Sequence, residues 1–392
     1  MNLKIEIKKR FKEDIHTYEA IGAEIKRHRL AMSKTLSSIA DKNCSISYLC
    51  KIERNQVVPS PKYLAEICEK VNITEENIKY LLSSKDLLVE AVKLFFFRDV
   101  NGKNKYEESL AGLENYRTEI IRLIFNLTER NLDEALRSIS KVWNLMSSLS
   151  DLDLMIFAGF YGVYKYLTKE YLEASEYLKL ALEFRVEVNY FRPIMLRYLF
   201  LISFKIGSKS IYKYYKCLEE EKLKYGENLN LDDVYYHLAL YYINSRDENG
   251  YNETRLKIAS KSLNYNLDIL YKLSVKAEVG EVNLFELDDY TKIIYLLKTS
   301  NDNLIEIIDN TNLDSDYKVH FKYLYYKKHD LEEAYNFLLN IAFPYAIVKD
   351  IYSKARYYLN EMVNSIFRPN KYKKFFEMYV ELDRVLELVN NI

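Results

Sequence analysis

Apolar residues recur three and four positions apart along most of the chain, which is the spacing of one helix face. Between Ile21 and Ile73 the pattern comes in short pieces. Ile21 and Ile25 mark a first helix, with Lys26, Arg27 and Arg29 on its other faces. Thr35 is placed to cap a second, which carries Leu36, Ile39 and Ala40. Asp41-Lys42-Asn43-Cys44 reads as a turn, with Asn43 best suited to positive φ. Ser45 then caps a third helix in which Leu49 and Ile52 share a face. Ser60-Pro61 opens a fourth, and Thr74-Glu75-Glu76 a fifth. From about residue 88 onward the chain reads as helix after helix.

That second stretch repeats itself. Leu132-Asp133-Glu134-Ala135 is followed by Ile139 and Val142, Tyr171-Leu172-Glu173-Ala174 by Leu178 and Ala181, and Leu331-Glu332-Glu333-Ala334 by Leu338 and Ile341. The second copy has Gly162 before its Ala174. A small residue in one helix and an alanine in the next allow close approach. Such pairs bury a core only by stacking on neighbours. The stretch between 190 and 310 is degenerate in this pattern.

Composition agrees with an all-α fold. The 392 residues include only 9 Gly and 5 Pro, the residues that punctuate turns and sheets. Tyr is abundant, at 37 copies, and suits helix seams that border water. The expected architecture is a five-helix helix-turn-helix domain over residues 1–82, then a tetratricopeptide-like α-solenoid over 83–392.

Charge adds a hint. The formal net charge is zero, yet residues 1–62 hold 13 Lys/Arg against 7 Asp/Glu, a net of +6. A basic segment at one end suits a polyanion partner, although an ordinary solvated surface would carry the same charge. Cys44, Cys50, Cys68 and Cys217 form no C-x-x-C pair and have no histidine at metal spacing. Cys44 and Cys50 read as packing residues. A reduced, cytoplasmic setting is expected. No apolar run approaches the ~20 residues of a membrane span. No Walker loop, dinucleotide fingerprint, H-E-x-x-H or nucleophile elbow occurs, so neither an enzyme nor a cofactor is expected.

The segment Ser45-Ile46-Ser47-Tyr48-Leu49-Cys50-Lys51-Ile52-Glu53-Arg54-Asn55, followed by Pro59-Ser60, resembles the recognition helix and loop of Cro/C1-type (XRE) regulators. It departs from them at Asn43, where Gly is usual, and at Leu36, which often is a phosphate-touching Gln. In helix-turn-helix geometry the third helix enters the major groove of double-stranded DNA. Ile46, Ser47 and Lys51 lie on its outer face, placed to touch a thymine methyl, several base edges and guanine O6 or N7 respectively. Arg27, Lys34, Arg54 and the amides near Thr35 are placed for phosphates, and Ser45 at the start of the helix is counted with the DNA-binding residues. The family spacing also pairs Arg29 with Glu53 across the reader.

An XRE-type reader joined to degenerate tetratricopeptide repeats resembles the Gram-positive peptide-pheromone regulators, the Rgg, PlcR, PrgX and NprR group. Within them it looks close to the clostridial RstA type, which controls sporulation and toxin genes. The resemblance implies a cytoplasmic homodimer on an inverted-repeat operator, with a short signalling peptide bound in the repeat groove. By the repeat register, Asn126, Tyr161, Tyr164, Arg197 and Tyr236 are the candidates to line it, and each alone equally suits packing between repeats. The late helices around Tyr352–Leu386 are the candidate dimer contact. The alternatives are a repeat module that sequesters another regulator, and a repressor that needs no ligand.

Overall fold

The computed structural model describes residues 2–13, 21–40, 44–99, 114–299, 304–349 and 351–365, with isolated residues 102, 106, 110 and 380. Every regular element among them is helical. The helices divide into two compact units, Met1–Tyr198 and Leu199–Ile392.

The first unit opens with α1 (Leu3–Glu13). After it come α2 (Ile21–Ala31), α3 (Leu36–Ile39), α4 (Ile46–Glu53), α5 (Pro61–Lys70) and α6 (Glu75–Phe97). The caps fall where the sequence puts them. Thr35 accepts from Ser38 N, Ser45 from Tyr48 N, Ser60 from Tyr63 N, and Thr74 forms a reciprocal capping box with Asn77. Ile25, Ile39, Cys44, Leu49, Ile52, Ile67, Cys68, Val71 and Ile73 make one core under these helices. Cys44 and Cys68 are packing residues in it, and burial pushes the Cys68 thiol up to about 11. The Asp41–Asn43 turn lies outside the described residues.

The sequence places a domain boundary between residues 82 and 83. α6 runs through it as a single helix of 23 residues, because nothing between Glu75 and Phe97 interrupts helical propensity. A buried network then ties α6 to the helices beyond residue 114. Arg117 donates from Nη1 to the Leu81 carbonyl at 2.8 Å, and bidentately to Asp153 at 2.8 and 3.1 Å. The hydroxyls of Tyr116 and Ser150 also donate to Asp153, each at 2.6 Å. The N-terminal helices and the first repeats therefore share one compact unit.

The repeats are helix pairs. In the first unit they are α7 (Tyr116–Thr128) with α8 (Leu132–Trp143), and α9 (Asp151–Leu167) with α10 (Tyr171–Leu182). α11 (Phe191–Ile206) carries the chain into the second unit. There the chain forms α12 (Ile211–Tyr225), α13 (Asp232–Ser245), α14 (Glu248–Arg255), α15 (Lys261–Ser274), α16 (Asp289–Thr299), α17 (Leu304–Asn310), α18 (Ser315–His329), α19 (Leu331–Phe337), α20 (Phe343–Val348) and α21 (Tyr352–Ser365).

Each recurring Glu-Ala signature opens the second helix of a pair, and Ala135, Ala174 and Ala334 are buried. A Cβ on Gly162 would sit 2.9 Å from Leu178 Cγ, which explains why a glycine allows α9 onto α10. The third copy departs from the pattern. Ile341 is 47% exposed, and Ala342 is buried instead. The π turn at Leu338–Ala342 inserts one extra residue and rotates the face.

α1 is a helix that the sequence pattern did not announce. Leu3 and Ile7 are fully buried, and Phe11 packs edge-on to Phe184 at 4.9 Å. The spacing Leu3, Ile7, Phe11 is one helix face, but the basic and acidic residues around it mask the signal.

Candidate nucleic-acid interface

α4 is amphipathic across its width. Leu49 and Ile52 are 0% and 1% exposed and face the core of the N-terminal helices. Ile46, at 49%, with Ser47 and Lys51, faces solvent. Ser45 is exposed at its N-terminus, with its hydroxyl occupied by the Tyr48 amide, and Arg54 is exposed at the other end. A face with one apolar residue, one hydroxyl and one ammonium is chemically equipped to meet thymine methyls and base-edge acceptors.

Three devices hold this helix. Arg29 grips Glu53 bidentately, Nε to Oε1 at 2.6 Å and Nη2 to Oε2 at 2.8 Å, so the expected ion pair is present and buried. The Glu53 carboxylate raises the Arg29 pKa through that bond. Arg29 Nη1 also donates to the Lys34 carbonyl at 2.9 Å, bracing the approach to α3. Second, Gly22 brings α2 against α4, where a Cβ would overlap the Ile52 carbonyl oxygen. Third, Asn55 takes φ +54° after the helix and accepts the Gly22 amide at 2.8 Å, while its Nδ2 donates to the Ser148 carbonyl. Asn55 stood in the family motif without a role. The signal that could have found it is its type, since Asn tolerates a left-handed residue after a helix.

Two side chains expected at phosphates have other partners. Lys34 donates from Nζ to the Lys70 carbonyl at 2.7 Å, at the C-terminus of α5, where helix carbonyls attract a cation. Arg27 turns toward the first repeat: Nη2 reaches Glu24 Oε1 at 2.6 Å and the Glu114 carbonyl at 2.7 Å. Burial works to raise the Glu24 pKa, but its bonds to His28 and Arg27 outweigh that and lower it. Sequence spacing placed Arg27 on a polar helix face; it could not say that the first repeat covers that face. Thr35 uses its hydroxyl on Ser38 N and Ser37, leaving the amides near it as the available donors.

The five groove candidates do not form one cluster within either unit: Asn126, Tyr161, Tyr164 and Arg197 belong to the first and Tyr236 to the second. Tyr161 is a packing residue, edge-on to Tyr177 at 4.8 Å and to Trp143 at 5.2 Å, with Tyr164 stacked on it at 6.2 Å. Tyr236 is buried and donates to Asp288 Oδ2 at 3.0 Å. Asn126, Tyr164 and Arg197 are half-buried. Much of the Tyr352–Leu386 stretch lies outside the described residues; α21 covers its start. No helix among the described residues is long and apolar enough to cross a membrane.

No protein-family model and no solved structure matches the chain. Among curated proteins it is similar to the transcriptional activator NprA of Geobacillus stearothermophilus, 29% identical over 156 residues, which is 36% of this chain. The match spans 37% of that relative's length.

Proposed function

We propose that this chain is a sequence-specific, DNA-binding transcription regulator. The observation that carries this reading is α4: an exposed face of Ile46, Ser47 and Lys51, braced from behind by the buried Arg29–Glu53 pair. Ser45 and Arg54 flank the face, and both are exposed. The similarity to a transcriptional activator supports it. Lys51 reads a guanine edge, Ser47 a neighbouring base, and Ile46 a thymine methyl. Ser45, Arg54 and the amides near Thr35 take phosphates. Arg27 and Lys34 are left out of this set, since both are engaged inside the protein.

Gel shifts with fragments from upstream of the protein's own gene test the reading. Lys51→Ala removes a side chain that buries nothing, so the melting temperature stays at the wild-type value. Operator affinity falls by about 1–3 kcal/mol per half-site. Wild-type affinity in that variant would remove α4 from the groove.

A homodimer on an inverted repeat, with a short peptide as the controlling ligand, completes the proposal by resemblance to the pheromone regulators. Sedimentation of the full chain with and without operator reads the first part. Calorimetry with peptides encoded beside the gene reads the second, with Asn126, Tyr164 and Arg197 as the contact candidates that remain partly open.

A further inference from the structure

Between α8 and α9 the chain makes one short turn, Met146–Ser148, which joins the first repeat pair to the second. Each of its three residues holds a different piece of the N-terminal helices. Arg10 of α1 donates from Nη2 to the Met146 carbonyl at 3.3 Å, and from Nη1 to Asp151 Oδ1, at the start of α9, at 3.0 Å. Lys26 of α2 donates from Nζ to Ser147 Oγ at 3.2 Å. Asn55, the left-handed residue just beyond α4, donates from Nδ2 to the Ser148 carbonyl.

Arg10, Asn55, Asp151, Met146 and Ser148 are all buried, so two of the three links are made away from water, where a missing partner is costly. The turn is stiff in itself. The Ser148 amide closes on the Leu145 carbonyl at 2.7 Å, and Ser150 just after it caps α9 through the Asp153 amide. Asn55 also accepts the Gly22 amide at 2.8 Å, so one side chain ties α2, the end of α4 and the turn together. Two of the three acceptors are backbone carbonyls, which move only when the chain moves. A turn between stacked repeat pairs shifts when one pair tilts on the other.

We propose that Met146–Ser148 is a positioning segment for α4: the angle between the first two repeat pairs passes through it to the exposed face of Ile46, Ser47 and Lys51. None of the three turn residues belongs to that face. The consequence for DNA rests on the reading proposed above; the brace itself is tested without DNA.

Hydrogen exchange of the full chain, resolved to single amides, makes the first test. The amides of Arg54, Asn55 and Gln56 close the end of α4 on the carbonyls of Cys50, Ile52 and Lys51. Asn55→Asp keeps an acceptor for Gly22 and tolerates positive φ, but loses the donor to Ser148. Ser147→Ala removes only the hydroxyl that Lys26 uses. Each is expected to speed exchange at those three amides about fivefold, as the loss of one net hydrogen bond would, with the Leu64 and Val71 amides at the two ends of α5 unchanged. Ser147→Thr keeps the hydroxyl and is expected to exchange as wild type. Wild-type exchange at the end of α4 in both Asn55→Asp and Ser147→Ala overturns the proposal. So does a rise shared equally by α5, which would mean general loosening.

The second test uses reciprocity: if the turn acts on α4, DNA on α4 acts on the turn. Operator fragment is expected to slow exchange of the Ser148 and Leu149 amides, and Asn55→Asp to abolish that change. In gel shifts Ser147→Ala is expected to bind operator about threefold more weakly at an unchanged melting temperature. Operator binding that leaves both turn amides unaltered overturns the proposal. A chain that binds no operator sinks the DNA-reading proposal instead, and exchange at the end of α4 still decides this one.

Discussion

Arg29 and Glu53 show how much rests on single side chains in a cluster of helices this small. Both are almost fully buried and satisfy each other through two short bonds. Removing one leaves the other charge desolvated and unpaired. Arg29→Ala should therefore destabilise the reader by about 3 kcal/mol, and Glu53→Ala by a similar amount. Urea unfolding followed by fluorescence measures it; a loss under about 1 kcal/mol would show that water replaces the missing partner. The pair was legible in the sequence because its spacing matches that of the family the segment resembles. The partners of Arg27 and Lys34 were not, because a basic side chain looks the same in sequence whether it faces a phosphate or a neighbouring carbonyl.

At the scale of elements, close approach decides where helices sit. Gly22→Ala puts a methyl into the Ile52 carbonyl, which is backbone and cannot rotate away. α2 and α4 must then separate, at a cost of about 1–3 kcal/mol. The Asn55–Gly22 bond is lost with them, so operator affinity should fall more than stability alone explains. A variant that melts and binds as wild type would show the two helices already have slack. Caps and Glu-Ala signatures were legible because they depend on neighbours in sequence. The continuity of α6 was not: a cap announces where a helix starts, and no residue before Arg98 announces that it keeps going. The π turn at Leu338 was equally hidden, since an inserted residue leaves the apolar spacing intact on paper while moving Ile341 off the buried face.

For the molecule as a whole, acidity should act on the second unit. Burial pushes the His320 imidazole down to about 3, with nearby Lys354 lowering it further and Asp316 opposing. Burial also lowers His237, which lies 2.6 Å from the Asp233 carbonyl oxygen. Unfolded, each takes a proton near pH 6.5. Both are depressed in the fold, so their contribution is fully present above pH 6.5 and is lost as pH falls toward the folded values. Each costs up to about 1.4 kcal/mol per pH unit over that window. Melting curves from pH 8 to pH 5 should drop steeply below pH 6.5, and His320→Gln should flatten part of the slope. An unchanged slope in that variant would mean His320 becomes solvated before the unit unfolds.

Sequence by itself determined the all-α class, the five helices between Ile21 and Phe97 with their caps, the exposed face of α4, the Arg29–Glu53 brace and the opening of the second helix in three repeat pairs. All of these depend on periodicity, local capping chemistry or a motif of adjacent residues. Tertiary structure alone decided that α1 packs on α10, that α6 fuses the reader to the repeats, and that Arg117 and Asp153 lock that junction. It also decided that Arg27 meets the Glu114 carbonyl. Each of those facts joins residues far apart in the chain. Which distant surface covers a given polar face is set by packing, and a single sequence carries no record of it.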